Sequence, residues 1–153
     1  NAKKWMDICA ELATHATCLR SHGGAVLVCE NQIISEGYNS PPANKESQRR
    51  CLYNKEKYDK KVSDKTCCIH AEQRAMMNAL KKNPKKIEGS QLYFARIPID
   101  NRPEILYSGE PYCTLCSKMA LDLNVSEFLL YKQEGIVAYT LEEYNKLSYD
   151  FRS

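Results

Sequence analysis

Apolar and polar positions follow two different periods along this chain. Trp5, Ile8, Cys9, Leu12, Ala13, Ala16 and Leu19 recur at three- and four-residue spacing, which predicts an amphipathic helix over residues 2–19. Gly23-Gly24 closes that stretch. AVLVCEN and QIISEGYN are rich in strand formers and meet at Glu30-Asn31, so they predict a hairpin. The prolines of SPP stop its second strand, because proline has no N–H to give to a ladder. Residues 41–66 are polar and lysine-rich and predict an excursion with no more than a helical turn. Good helix formers then fill CIHAEQRAMMNALKK as far as Pro84. SQLYFARI reads as a buried strand, and 98–110 as a long loop or flap. CTLCSKMALDLN is helical from its first cysteine, and EFLLY and IVAYT are strands on either side of KQEG. Thr140 and Glu143 form a T-x-x-E capping box that opens a last helix, LEEYNKLSYDF. The order α-β-β-α-β-α-β-β-α, with neither repeat nor linker, predicts one α/β domain over residues 1–153 with helices covering a central sheet.

Composition narrows the setting. The 153 residues are 43% apolar and 27% charged, as in an ordinary globular domain large enough for its own core. No apolar run approaches the roughly 20 residues that span a bilayer. The opening NAKKWMDICAEL has no continuous apolar centre, so no signal peptide is expected. Eight cysteines are too few for a disulfide scaffold of this length and point instead to reduced thiols in a cytoplasmic protein, a few of them placed for a metal. The net charge of +3 is mild but uneven: the 45–65 segment and the KKNPKK of 81–86 are both strongly basic. Solvated surface is the ordinary reading of such runs, and a phosphate track the sharper one.

The candidate chemistry lies in two short motifs. PYCTLC holds a C-x-x-C pair, Cys113 and Cys116, whose spacing suits a redox couple, a structural zinc or a catalytic one. CIHAEQ supplies His70 and Glu72 at the start of the preceding helix. At a first turn both side chains can reach past the helix end, and Cys113 and Cys116 share a face at i, i+3. Two such helices set side by side with level N-termini would bring the four groups together. One imidazole and two thiolates leave a fourth coordination position open, as a catalytic zinc requires, and the positive helix ends stabilise the thiolates. Glu72 is then the carboxylate free to move protons.

H-x-E followed by P-C-x-x-C is the signature of the zinc nucleobase deaminases, and this chain resembles the cytidine and deoxycytidylate deaminase superfamily. CLRSHGGAVLV, IISEGYNSPP, CIHAEQRAMMNAL and CSKMAL are most similar to its deoxycytidylate branch. The resemblance implies a three-layer α-β-α domain with a five-stranded mixed sheet and helices on both faces. It implies Zn2+ on His70, Cys113 and Cys116, Glu72 as general acid/base, and Asn39 and the backbone N–H of Ala71 against base and sugar. Arg20 and Ser21 are phosphate candidates by their place in CLRSHGG. The implied activity is hydrolytic release of ammonia from a free cytosine nucleotide or nucleoside, by a homo-oligomer that needs no membrane.

The chain departs from the family pattern in three places. Tyr112 separates the proline from Cys113, the loop before the cysteines is long, and Gly23 stands where the branch often has valine. These bear on the substrate and leave every zinc ligand in place. Two other readings compete: a deaminase of a base within DNA or RNA, with the basic segments as phosphate track, and a non-enzymatic zinc-built interaction domain, with Cys67 or Cys68 closing the site. Cys18, Cys51, Cys67 and Cys68, with His15 or His22, could form a second, structural zinc. Cys9 and Cys29 fall on apolar faces as fillers. Tyr107 and Tyr112 could stack on a pyrimidine, although packing is the ordinary role in a chain with ten tyrosines.

Overall fold

The computed structural model describes residues 1–152; Ser153, the last residue of the expected domain, lies outside them. Five strands form one sheet in the order β2-β1-β3-β4-β5: β1 His22–Cys29, β2 Gln32–Tyr38, β3 Gln91–Ile97, β4 Glu127–Lys132 and β5 Gly135–Thr140. All neighbours are antiparallel except β3 and β4, so the sheet is mixed. Among the described residues, no helix is long and apolar enough to cross a membrane.

Period-two alternation assigns the faces. Val26, Val28, Tyr93, Ala95 and Leu129 point to one side and bury Trp5, Met6 and Cys9 of α1 (Ala2–Ala13). Ala25, Leu27, Leu92, Phe128 and Leu130 point to the other, against α2 (Ala71–Lys82), α3 (Thr114–Asp122) and α4 (Leu141–Asp150). Three layers result, as expected. Missing side chains let two helices touch the sheet backbone. A Cβ on Gly24 would sit 2.0 Å from the Cys9 carbonyl oxygen in α1, and one on Gly37 would sit 2.4 Å from that of Ala71 in α2. The second contact fixes the height of α2 over β2, and with it the height of His70 and Glu72.

Two boundaries differ from the expectation. α1 ends at Ala13, not residue 19, because Thr14, His15 and Ala16 close i, i+3 turns and Thr17 N–H then donates to the Asn39 carbonyl at 3.1 Å. Ala16 is buried by that turn rather than by a helical face, and Leu19 is 48% exposed. Gly23 and Gly24 do not end an element; they lie inside β1. The hairpin does turn at Glu30 and Asn31, both at positive φ (49° and 62°), which matches a tight two-residue connection. The excursion over 41–66 carries three isolated single-turn helices, Pro42–Asn44, Glu46–Gln48 and Lys55–Lys57, where one turn was expected. Thr140 caps α4, its Oγ1 accepting the Glu143 N–H at 3.1 Å.

Candidate active site

α2 and α3 begin at the same edge of the sheet. His70 is the N-cap of α2 and Cys113 the N-cap of α3. Gln73 fixes the first by accepting the His70 N–H at 3.0 Å. Arg74 ties the same turn to the end of β2, donating to the carbonyls of Tyr38 at 2.9 Å and Pro41 at 3.3 Å. α3 is held to α4 by the Ser117 hydroxyl, 2.7 Å from Asn145 Oδ1. Two helix starts pinned in this way bring their donors into contact: His70 Nδ1 lies 3.2 Å from Cys113 Sγ and 3.3 Å from Cys116 Sγ, and the sulfurs are 3.2 Å apart.

One nitrogen and two sulfurs within 4.8 Å of one another are a donor set that could hold a single metal ion. The mix of imidazole and thiolate suits zinc, and among the described residues no fourth cysteine or histidine joins the group, which is the composition of an open set. Cys67 and Cys68, the candidates to close it, belong to a different cluster. The three groups perturb one another strongly. The Cys113 thiol is brought down to about 4, first by its hydrogen bond with Cys116 and then by His70, against the effect of burial. The Cys113 hydrogen bond lifts the His70 imidazole to about 9, against burial. Cys116 moves upward through its bond to Cys113 and its burial.

Glu72 lies beside this group, 7% exposed. Burial, and then the neighbouring Cys113 charge, push its carboxyl up to about 7. A charged group so buried is costly unless it has work to do. It opens onto a cavity of about 230 Å3, lined also by His70, Ala71 and Cys113. That is small beside the usual ligand pocket and leaves room for one ring.

The other expected residues are placed unevenly. Ala71 lines the cavity, and its N–H is a first-turn amide with no acceptor inside the helix. Ser21 and Asn39 line it too. Asn39 already spends its side chain on the backbone, accepting the Gly23 N–H and donating to the Ser21 carbonyl, both at 2.8 Å. Arg20 is not on this wall; it faces an adjoining hollow and donates to the Cys51 carbonyl at 3.0 Å. The 98–110 flap does reach the mouth: Ser108, Gly109 and Glu110 line it, together with Tyr112 just after the flap. The flap is pinned by Leu106 N–H to the Arg96 carbonyl and by Ser108 N–H to the Tyr131 carbonyl, each 2.8 Å. Tyr107 leans on Tyr131 (centroids 5.5 Å apart), whereas Tyr112 meets Phe151 and stays 69% exposed at the rim.

Phe94, Arg96 and Tyr144 complete the wall and were not singled out in the sequence. Alternation along β3 could have offered Phe94 and Arg96, which share one face. Tyr144 had no local signal, since its place at the site comes from tertiary packing, including its stack on Phe128 with centroids 4.0 Å apart.

A second group of thiols gathers next to the hollow. Cys18, Cys51 and Cys68 offer three sulfurs within 4.8 Å of one another, and Cys67 Sγ lies 3.3 Å from Cys51 Sγ and 3.9 Å from Cys68 Sγ. Neither expected histidine joins them. His22 Nδ1 is bonded to Asn101 Oδ1 at 2.8 Å, and His15 lies against the Tyr38 ring. The KKNPKK run is also displaced from the chemistry: it sits at the C-terminal end of α2, about 18 Å along the helix from His70.

Comparison with known proteins agrees with this geometry. Residues 1–132 match the family model of the cytidine and deoxycytidylate deaminase zinc-binding region. Deoxycytidylate deaminase of Schizosaccharomyces pombe is 26% identical over 141 residues, covering 89% of this chain; the chain spans only 38% of that relative's length. Among solved structures, the dCMP deaminase of cyanophage S-TIM5 in apo form superposes with a TM-score of 0.58 at 22% identity, over 83% of this chain and 79% of that one. Cytidine deaminase from Burkholderia pseudomallei gives 0.60 at 14% identity, over 94% and 95%. At such identities the two likenesses establish the fold.

Proposed function

The chain belongs to the cytidine and deoxycytidylate deaminase family, and from that membership and the pocket at the starts of α2 and α3 we propose a zinc-dependent hydrolytic deaminase. Its substrate is a free cytosine nucleotide or nucleoside, deoxycytidylate-like compounds first, in a cytoplasmic homo-oligomer. One observation carries the reading: an open His-Cys-Cys donor set beside a buried glutamate, on a cavity sized for one ring.

In this scheme His70, Cys113 and Cys116 hold the ion. Zinc at such a site supplies Lewis acidity, which makes water nucleophilic near neutral pH. The remaining work falls to the chain. Glu72 takes a proton from the attacking water and gives it to the ring nitrogen beside the carbon that bears the amine. A C–O bond forms at that carbon. Glu72 then takes the second proton from the new hydroxyl and passes it to the departing nitrogen, the C–N bond breaks, the carbonyl forms, and ammonia leaves a uracil ring. A carboxylate suits a relay that must accept and donate within one cycle. The Ala71 N–H and the wall around Asn39 orient the ring, and Tyr112 and the flap limit solvent at the mouth.

The relative from Schizosaccharomyces pombe is a deoxycytidylate deaminase, and a cyanophage S-TIM5 structure holds dCMP and dUMP; both favour a pyrimidine nucleotide here. Ammonia release from cytosine, deoxycytidine and deoxycytidylate is the direct test. Glu72→Ala should retain zinc and lose turnover by about a hundredfold or more, the usual worth of a positioned acid/base. Full-rate turnover by that variant would remove the assigned role of Glu72, and an inert wild type with zinc bound would favour the interaction-domain reading. A deaminase of a base within nucleic acid is the second reading, favoured by the basic 45–65 segment beside the mouth; the 81–86 run, at the far end of α2, does not contribute to it.

A further inference from the structure

Tyr144 belongs to the wall of the catalytic cavity and has no part in the scheme above. It stands on α4, is only 4% exposed, and packs against two other rings: face to face with Phe128, centroids 4.0 Å apart, and edge-on to Tyr139 at 5.8 Å. These contacts use the ring and leave the hydroxyl over. Among the described residues no group bonds to that hydroxyl; the Ser148 hydroxyl, 2.8 Å away, donates to the backbone carbonyl of Tyr144 instead. The Tyr139 hydroxyl of the same cluster does have a partner, Lys132 Nζ at 3.1 Å. Packing alone would be served by phenylalanine, which keeps the stack and buries no polar atom. A hydroxyl so buried is costly unless something pairs with it, and the cavity is where a partner can enter. Burial first, and then the charges of Glu72, Cys116 and Cys113, push the phenol upward, so its oxygen is near the site's charged groups and keeps its proton.

The fold decides which part of a ring meets this hydroxyl. α2 brings Ala71 and Glu72 to one side of the cavity, over the β2 end of the sheet, where its backbone touches Gly37. α4 follows β5 at the other end of the sheet and is tied to α3 by the Ser117–Asn145 bond. Tyr144 therefore reaches the cavity from the side opposite α2. A cytosine with its carbonyl oxygen toward Ala71 and its N3 toward Glu72 turns the other edge to Tyr144. That edge carries C5, C6 and the amine N–H that points to the C5 side. It offers one donor, which a phenol oxygen can accept. A cavity of about 230 Å3, walled on this side by Tyr144 and Leu130, leaves little space for a further group on C5.

We propose that Tyr144 is a specificity-determining residue: its hydroxyl accepts a hydrogen bond from the exocyclic amine on the C5 side of the ring, and the same phenol selects pyrimidines that are unsubstituted at C5. The proposal rests on the deaminase reading of the cavity and adds to it how the base is chosen. It also gives α4 a place at the chemistry, since the ring stack on Phe128 fixes where the oxygen stands.

The test compares dCMP with 5-methyl-dCMP, using the zinc-loaded full chain and its Tyr144→Phe variant. The wild type should prefer dCMP in kcat/KM by about tenfold or more, the effect of forcing one methyl group into a filled site. Tyr144→Phe should lower kcat/KM for dCMP by about three- to tenfold, as the loss of one neutral hydrogen bond does. It should leave 5-methyl-dCMP unchanged or improved, so that the preference shrinks by the same factor. Its melting temperature should stay the same or rise, because the ring packing is kept and no protein partner is lost. A loss of rate in equal proportion on both nucleotides, or one that follows a fall in melting temperature, would make Tyr144 structural and overturn the proposal. A wild type that deaminates 5-methyl-dCMP as fast as dCMP would overturn it too, and that result stands even if the variant folds poorly. Both results leave the deaminase reading intact. Should the wild type deaminate neither nucleotide, that reading fails, and calorimetric binding still decides the residue: dCMP binding that weakens about threefold or more in the variant supports it, and equal or absent binding overturns it.

Discussion

Gly23→Val tests how the cavity wall is shaped. A Cβ on Gly23 would sit 2.7 Å from Phe94 Cε1 and 3.1 Å from Cζ, where carbon atoms ordinarily rest about 3.5–4.0 Å apart. The ring tip must therefore move by roughly 1 Å, and since its open side faces the cavity, it moves into the space meant for the base. Overpacking of this kind costs about 1–3 kcal/mol. A gain of up to about 1 kcal/mol from a β-branched residue in a strand offsets part of it, so the net cost is about 2 kcal/mol or less and the melting temperature falls by no more than about 8 °C. Binding has no such compensation: KM for the cytosine substrate should rise by about fivefold or more, the equivalent of 1 kcal/mol or above. Gly23→Val/Phe94→Ala removes the ring and should restore much of the lost affinity, giving a coupling of about 1 kcal/mol or more in a double-mutant cycle. Steady-state kinetics and thermal denaturation on the four proteins supply the cycle. Additive effects on KM, within about 0.5 kcal/mol, would refute the claim that Gly23 exists to seat Phe94.

Two further outcomes follow from the same geometry. Gly37→Ala drives a methyl group to 2.4 Å from the Ala71 carbonyl oxygen and 2.5 Å from the Ala75 nitrogen, both backbone of α2. It should destabilise by about 3 kcal/mol, at the top of the overpacking range, and should lower zinc content with stability, since the displaced helix carries His70; calorimetric melting with metal analysis checks both. Cys51→Ala/Cys68→Ala should reduce bound zinc from about two ions per chain to one while catalytic zinc is kept, because the two donor groups share no residue. Mass spectrometry under native conditions reads the stoichiometry, and an unchanged count would show that the second thiol group holds no metal.

The elements were legible wherever burial follows a simple period. β1 to β5 alternate or run apolar, α2 is dense in helix formers up to Pro84 and α4 carries its own start signal, so order and layers could be read in advance. The errors fall where burial has another cause. Ala16 continued the helical spacing of α1 by coincidence and is buried by the turn toward the cysteines, and Cys18 is buried by that cluster itself. Gly23 and Gly24 looked like a break because glycine usually is one; here the absent side chains admit Phe94 and α1. The centre of the candidate site was visible because its groups lie in two short motifs at helix starts. Phe94 and Arg96 come from β3 and Tyr144 from α4, brought together by strand pairing and the Phe128 stack, and no local pattern records that meeting. The placement of Arg20 likewise depends on the fold of the 41–66 excursion, whose burial comes from thiols and has no period.

The most direct test of the account is diffraction from crystals of the zinc-loaded protein at wavelengths on either side of the zinc absorption edge. A difference peak should appear between His70 Nδ1, Cys113 Sγ and Cys116 Sγ, about 2.0–2.1 Å from the nitrogen and 2.3 Å from each sulfur, with no fourth side chain bound. An empty position there in fully loaded protein, or a fourth cysteine or histidine closing the site, would contradict it.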